Sequence, residues 1–203
     1  MAGNSPARPK APIGEAFTGP ALFEPEAAAQ LLAQLLGDNL RISRKPISDA
    51  SHPVNVIPSE FEGRFGSRVL PEWIDVVDDP TQTSYQGKPL AGYYQFDFEG
   101  VPPRPVPVIQ KGVLKAFLST RQPMKSVPGS NGHARFPGGF GPRAAAIGNL
   151  FVHPAQRTPL SDLTTRPIHL CKELDTPYGL LLPKLYSPFF VTSSSIHTLQ
   201  LAH

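Results

Sequence analysis

The stretch Pro105-Val106-Pro107-Val108-Ile109-Gln110-Lys111-Gly112-Val113-Leu114-Lys115-Ala116-Phe117-Leu118 decides the fold class of this sequence. Two short apolar runs, Pro105 to Ile109 and Val113 to Leu118, flank the connection Gln110-Lys111-Gly112. A three-residue connection with glycine in last place predicts a β-hairpin with a bulge. The centre of the chain is therefore expected to form antiparallel strands.

Further strands are predicted on both sides of this hairpin. Residues 69–78 are rich in strand-forming side chains, and Asp79-Pro80 then indicates a turn. Residues 93–99 alternate apolar and polar side chains, which predicts a half-buried strand ending at Gly100. Short strands are also expected at residues 150–152 and 178–182.

Two helices are predicted, one near each end of the chain. The first runs from Glu24 to Gly37, with Pro25 at its first position and glycine as its left-handed stop. Its apolar face is expected to comprise Ala28, Leu31, Leu32, Leu35 and Leu36. The second begins near Thr158, carries leucines to Leu174 and is kinked or divided at Pro167. The fold class predicted is α+β, with mainly antiparallel sheet and long Pro- and Gly-rich loops at 41–68 and 122–148.

Composition excludes several classes of protein. The chain has 203 residues, of which 40% are hydrophobic and 17% charged, so it can bury a core and is not wholly disordered. Its 25 prolines exclude a coiled coil. The net charge of +3 comes from scattered basic residues, which does not favour a nucleic-acid binder.

The cellular compartment is predicted from three features. A single cysteine, Cys171, provides no internal disulfide. The first ten residues contain no apolar segment of a signal peptide, and no run approaches the length of a membrane span. We therefore expect a cytoplasmic protein without membrane association.

The common catalytic motifs are missing. A His-Glu-x-x-x-His motif would place two zinc ligands and a general base on one helix, but the six histidines form no such pattern. One cysteine cannot form a Cys-rich zinc cluster. There is no nucleophile elbow, P-loop or dinucleotide fingerprint either.

Two groups of carboxylates are candidate sites with a structural alternative. Asp97 and Glu99 lie on one face of the predicted strand and could act as general acid and base, or simply form its polar outer face. Asp75, Asp78 and Asp79 could bind a hard cation, but acidic residues at a strand end more often are solvated or cap the next turn.

The segment Gly129-Ser130-Asn131-Gly132-His133-Ala134-Arg135 is a candidate substrate-binding loop. Backbone amides, including that of Gly132, together with Asn131, His133 and Arg135 could hold a peptide carbonyl or carboxylate; the structural alternative is a loop that merely turns. Cys171 lies close to Leu170 and Leu174, which favours a buried, unreactive thiol.

Six segments, in this order, resemble the C-terminal half of the TldD/PmbA family over about residues 20–183. They are residues 23–29 leading into the first helix, 74–80, 96–102, the hairpin 108–118, and the pair 130–135 and 148–152. The resemblance implies a relative of cytoplasmic zinc peptidases and of their non-catalytic partner subunits. It divides the chain into an irregular arm at 1–22, a C-terminal-type domain at 23–188 and an atypical tail at 189–203.

The departures from the family pattern concern the zinc site. Where peptidase members carry His-Glu-x-x-x-His, this helix has Ala33, Gln34 and Asp38. Cys171 does not match the family's third ligand, a cysteine near the C-terminus, and the family's N-terminal domain is not present in this sequence. The resemblance is therefore to the metal-free branch, with no cofactor unless a partner subunit supplies zinc.

The function expected is that of a non-catalytic partner or scaffold in a peptide-degrading complex, in a homo- or hetero-oligomer with a related subunit. One alternative is an active metallopeptidase with other ligands, such as His133 with Asp97 and Glu99. Another is a plain interaction module.

Overall fold

The computed structural model describes residues 17–42, 44, 59–124, 127, 129–136, 144–163, 165–185, 189–193 and 196–200. The described helices are α1 (Pro25–Gly37), α2 (Leu160–Leu163) and α3 (Arg166–Glu173). The described strands are β1 (Ala21–Phe23), β2 (Ile74–Asp78), β3 (Ser84–Tyr85), β4 (Lys88–Pro89), β5 (Val106–Gln110), β6 (Val113–Leu114), β7 (Ala134–Arg135), β8 (Ala144–Ala145), β9 (Leu150–Pro154), β10 (Leu180–Leu182), β11 (Phe189–Ser193) and β12 (Ile196–Gln200). The predicted α+β class with mainly antiparallel sheet is confirmed.

A four-stranded antiparallel sheet in the order β6-β5-β2-β9 forms the centre of the fold. Strands β5 and β6 are the predicted hairpin, but the three-residue connection with a bulge is wrong. Gln110 pairs with Val113, which leaves only Lys111 and Gly112 in the loop. Both loop residues have positive φ, 47° and 71°, as a two-residue type I′ turn requires.

Helix α1 closes one side of the core through its C-terminal end. Leu36 and the following Leu40 are buried against sheet residues that include Val76, Val108, Ile109, Leu114 and Leu118. The helix begins at Pro25 and ends at Gly37 as predicted, but the next residue, Asp38, is right-handed, so no left-handed stop forms there. The predicted apolar face is correct only in part, because Leu35 remains 36% exposed.

The predicted strand over residues 93–99 is wrong. None of these residues, all of which the structure describes, belongs to a strand. Their burial is the reverse of the prediction, with Asp97 only 6% exposed and Phe96 62% exposed. The strand predicted from residue 69 onward is correct only from Ile74 to Asp78.

The C-terminal part combines a confirmed division with an unexpected exposure. The second helix is divided into α2 and α3 close to Pro167, as predicted. Its predicted leucine seam is not buried, because Leu174 is 61% exposed, and the Cys171 thiol is only partly buried. Strand β10 pairs in parallel with β1, so that Ala21 and Leu22 of the predicted arm belong to a strand.

Long connections complete the chain. The loop at 122–148 contains the short antiparallel pair β7–β8, and the tail contains the antiparallel pair β11–β12. Residues 1–16, 45–58 and 137–143 lie outside the described residues. In the part of the chain that the structure describes, no helix has the length and apolar character needed to cross a membrane.

Candidate functional site

Three positions on and beside helix α1 are those that the sequence resemblance assigns to a zinc motif. Ala33, Gln34 and Asp38 are all exposed there. Zinc takes imidazole, thiolate or carboxylate ligands, and hydrolysis needs a general base. Alanine offers no donor atom, glutamine is not a base, and the Asp38 carboxylate forms an ion pair with Arg41 at 2.8 Å. These residues do not fit a zinc ion.

The alternative set of ligands is not assembled either. Among the described residues, no group of three or more His, Cys, Asp or Glu side chains is placed to hold a metal ion, so His133, Asp97 and Glu99 do not form one. Asp97 and His133 are buried, and Glu99 Oε2 accepts the Arg121 backbone N–H at 2.7 Å.

Asp97 organises the backbone around it. Its Oδ1 accepts the N–H groups of Glu99 and Val101, each at 2.9 Å, and its Oδ2 accepts that of Ala134 at 3.0 Å. A side chain that takes two local amides in this way competes with strand formation, which explains why the alternating pattern here does not form a strand. Asp97 is thus a buried support of the candidate loop.

Asn131 and Gly132 fix the path of the candidate loop. Asn131 is 6% exposed; its Oδ1 accepts the Ser119 N–H and its Nδ2 donates to the Phe117 carbonyl, both at 2.8 Å. Gly132 has φ +79°, and a Cβ atom there would lie only 2.5 Å from the Pro102 carbonyl oxygen. Only glycine fits this position, since both the φ angle and the close contact exclude a side chain.

His133 is completely buried between this loop and strand β2. Its Nδ1 lies 3.0 Å from the Asn131 carbonyl oxygen and 2.9 Å from Asn131 Oδ1. Both are acceptors, because Asn131 Nδ2 already serves as the amide's donor, so we assign a proton to Nδ1. The tautomer thus follows from the loop's own hydrogen bonds.

Asp78 faces the other side of the same imidazole. His133 Nε2 lies 2.9 Å from Asp78 Oδ2, and both side chains are 0% exposed. The direction of approach is not that of a hydrogen bond, and Nε2 and Asp78 Oδ1 have no hydrogen-bond partner. With Nδ1 protonated, a second proton at Nε2 would make this contact a buried ion pair, in which the imidazolium offsets the burial of the carboxylate.

Asp79 caps the turn that follows β2, as the structural alternative predicted. Burial raises the pKa of its carboxyl, but hydrogen bonds from Thr81 and Gln82, with the nearby His133, outweigh burial and lower the pKa below its usual value. Asp78, by contrast, is neither solvated nor a turn cap. Nothing in the sequence distinguishes the roles of these two adjacent residues.

Arg135, the last residue of the candidate loop, contacts two aromatic rings. Its guanidinium carbon lies 4.4 Å from the centre of the Tyr94 ring and 5.5 Å from that of Phe98. Tyr94 is held by its hydroxyl, which donates to the Gly132 carbonyl at 2.8 Å, and burial raises the pKa of this phenol. Phe98 in turn packs on Phe136 at 4.7 Å.

Comparisons with known proteins agree with the fold and the motifs. The family model of the PmbA/TldA metallopeptidase C-terminal domain matches residues 17–182. A metalloprotease of Archaeoglobus fulgidus is 35% identical over 78 residues, or 38% of this chain and 17% of that protein. A metalloprotease of Methanocaldococcus jannaschii is 31% identical over 99 residues, or 47% of this chain and 20% of that protein.

A solved structure is also similar. TldE from Thermococcus kodakarensis aligns with a TM-score of 0.49 and 20% identity, over 71% of this chain and 30% of that one. This chain therefore spans about a fifth of the length of the two curated relatives and less than a third of that solved chain.

Proposed function

Because the chain belongs to the PmbA/TldA metallopeptidase C-terminal domain family, we propose that it is a member without a zinc centre of its own. Its role in this proposal is that of a non-catalytic partner or scaffold in a peptide-degrading complex. The observation that carries the proposal is the presence of Ala33, Gln34 and Asp38 on the exposed side of α1, where they offer neither a ligand set nor a general base.

A related subunit is the proposed partner, and it would supply any zinc that the complex uses. Exposed apolar side chains support an association of this kind: Ile168 of helix α3 is 59% exposed, Leu174 just after that helix 61%, and Leu181 of β10 61%. Ile168 and Leu181 line one pocket, and contiguous apolar surface often marks a protein contact. The proposed compartment is the cytoplasm, which suits a chain with a single cysteine.

A peptidase assay tests the proposal. The purified chain is incubated with fluorogenic unstructured peptides, with and without added zinc, and Asp38→Asn serves as the matched variant because it removes the only carboxylate among the three positions. We expect no cleavage by either protein under either condition. Cleavage that depends on zinc and is lost on chelation contradicts the proposal.

The exposed apolar surface also favours a second function, that of a plain interaction module. Light scattering combined with gel filtration distinguishes the two proposed functions. A module predicts association through α3 and β10, weakened by Leu181→Ser, with no binding of peptides. A purified chain that remains a monomer at high concentration argues against this second function.

A further inference from the structure

We propose that Arg135 is the receptor for a peptide carboxylate. This inference rests on the proposed function, and of the three side chains that the sequence suggests for a peptide contact, Asn131, His133 and Arg135, it retains only Arg135. The other two side chains are buried and bonded inside the chain, whereas Arg135 remains partly exposed in the same segment.

The guanidinium of Arg135 lies against aromatic rings. Among the described residues, it forms no ion pair and no hydrogen bond, and its contacts are the faces of Tyr94 and Phe98. The two carboxylates that flank Phe98 in sequence have other partners: Asp97 accepts three backbone N–H groups, and Glu99 Oε2 accepts that of Arg121. Five N–H donors of a partly buried cation are therefore left for water or a ligand.

The two aromatic rings hold the guanidinium in one place. Tyr94 cannot turn freely, because its hydroxyl donates to the Gly132 carbonyl, and Phe98 is packed on Phe136. An arginine stacked on rings loses less conformational freedom on binding, and its planar fork matches a carboxylate with two parallel hydrogen bonds.

The surroundings select the kind of carboxylate. Phe98, whose ring centre lies 5.5 Å from the guanidinium carbon, is 53% exposed, so apolar surface lies beside the charge. An apolar C-terminal residue of a peptide presents its carboxylate and a hydrophobic side chain together, and this combination fits the rings and the guanidinium at once. A hydrated inorganic anion would use only the charge.

Fluorescence anisotropy with three labelled hexapeptides tests this assignment. The first, Ala-Gly-Ala-Gly-Ala-Phe, has a free C-terminal carboxylate, the second is its C-terminal amide, and the third is the amide with Glu in place of the penultimate Ala. We expect the amide to bind at least about tenfold more weakly than the acid, as loss of a charge-assisted contact predicts. A third peptide as tight as the first supports the same site with a side-chain carboxylate as its ligand.

Variants locate the effect. Arg135→Gln is expected to abolish the difference between acid and amide, and Arg135→Lys to retain only part of it. Arg68→Gln is the matched control, because that arginine pairs with Glu72, and it should leave the difference intact. The acid/amide comparison on the unchanged chain remains decisive even if a variant fails to fold.

The assignment is overturned by equal binding of acid and amide, by a difference that survives Arg135→Gln, or by no binding of the free acid. These results are distinct from failure of the proposed function, which appears as zinc-dependent cleavage of the peptide. A chain that cleaves the peptide but still needs Arg135 for the carboxylate would refute only the non-catalytic role.

Discussion

Asp79 makes the stability of the fold depend on pH. Its pKa is lower in the folded chain than in the unfolded one, so the contribution is fully present above the unfolded value of 3.8 and is lost as pH falls through the folded pKa. We expect Asp79→Asn to lower the free energy of unfolding by about 1–3 kcal/mol at pH 7, and by progressively less in acid.

Urea unfolding between pH 2 and pH 7 measures this difference. Glu62→Gln, which removes an exposed carboxyl, is the control. Its free energy of unfolding should equal that of the unchanged chain at every pH. A loss for Asp79→Asn that stays constant with pH would contradict the role given to Asp79.

The buried pair of His133 and Asp78 is expected to act as a unit. His133→Leu leaves the Asp78 carboxylate buried without its counter-charge, and should cost about 3–5 kcal/mol of stability. The double variant with Asp78→Asn should recover part of that loss, because no buried charge remains. A single variant that costs less than about 1 kcal/mol in urea unfolding would argue against the ion pair.

Single residues show where sequence reasoning reaches its limit. The sequence singles out a group of three residues, Asn131, Gly132 and His133. Residue type alone does not determine whether their side chains face a ligand or the protein interior. Burial and partners decide this, and they come from Ser119 and Asp78, which are distant in sequence. Arg135 was in the same motif, and its two ring contacts have no sequence signal.

At the level of elements, the turn of the central hairpin provides a matched pair of glycines. Gly112 and Gly100 have nearly equal φ angles, +71° and +73°. A Cβ at Gly100 would meet nothing within 4 Å, whereas one at Gly112 would lie 2.6 Å from the Pro71 carbonyl oxygen. Alanine at either position pays the steric cost of a Cβ atom in the left-handed conformation. Only at Gly112 does the Cβ atom also overlap with backbone atoms.

We therefore expect Gly112→Ala to destabilise the chain by about 1–3 kcal/mol more than Gly100→Ala, the added cost being that of overpacking. Thermal or urea unfolding of the two variants measures the difference. Equal losses would mean that the backbone of Pro71 moves away without cost, contrary to the packing described.

Elements with strong local signals were predictable. Helix α1 follows from its proline start and its alanines and leucines, and the hairpin from its two apolar runs around Lys111-Gly112. The conformation of residues 93–99 was not predictable, because the Asp97 carboxylate accepts backbone N–H groups, and an alternating sequence pattern does not reveal these hydrogen bonds. The exposure of α3 was not predictable either. Its apolar side chains follow a helical pattern whether or not another surface covers them.

At the level of the whole molecule, the fold and the family agree, and we propose that the zinc positions have been lost. The central antiparallel sheet and the family match over residues 17–182 identify the domain. The same domain holds Ala33, Gln34 and Asp38 where its peptidase relatives are expected to hold their motif. The central claim is therefore that this chain retains the scaffold of a peptidase without the metal chemistry.

Zinc content tests this claim most directly. The chain is purified in zinc-containing buffer, passed over a desalting column, and measured by atomic emission alongside Asp38→Asn. We expect far less than one zinc ion per chain, with no difference between the two proteins. One zinc ion per chain, removed by a chelator together with peptide hydrolysis, would contradict it.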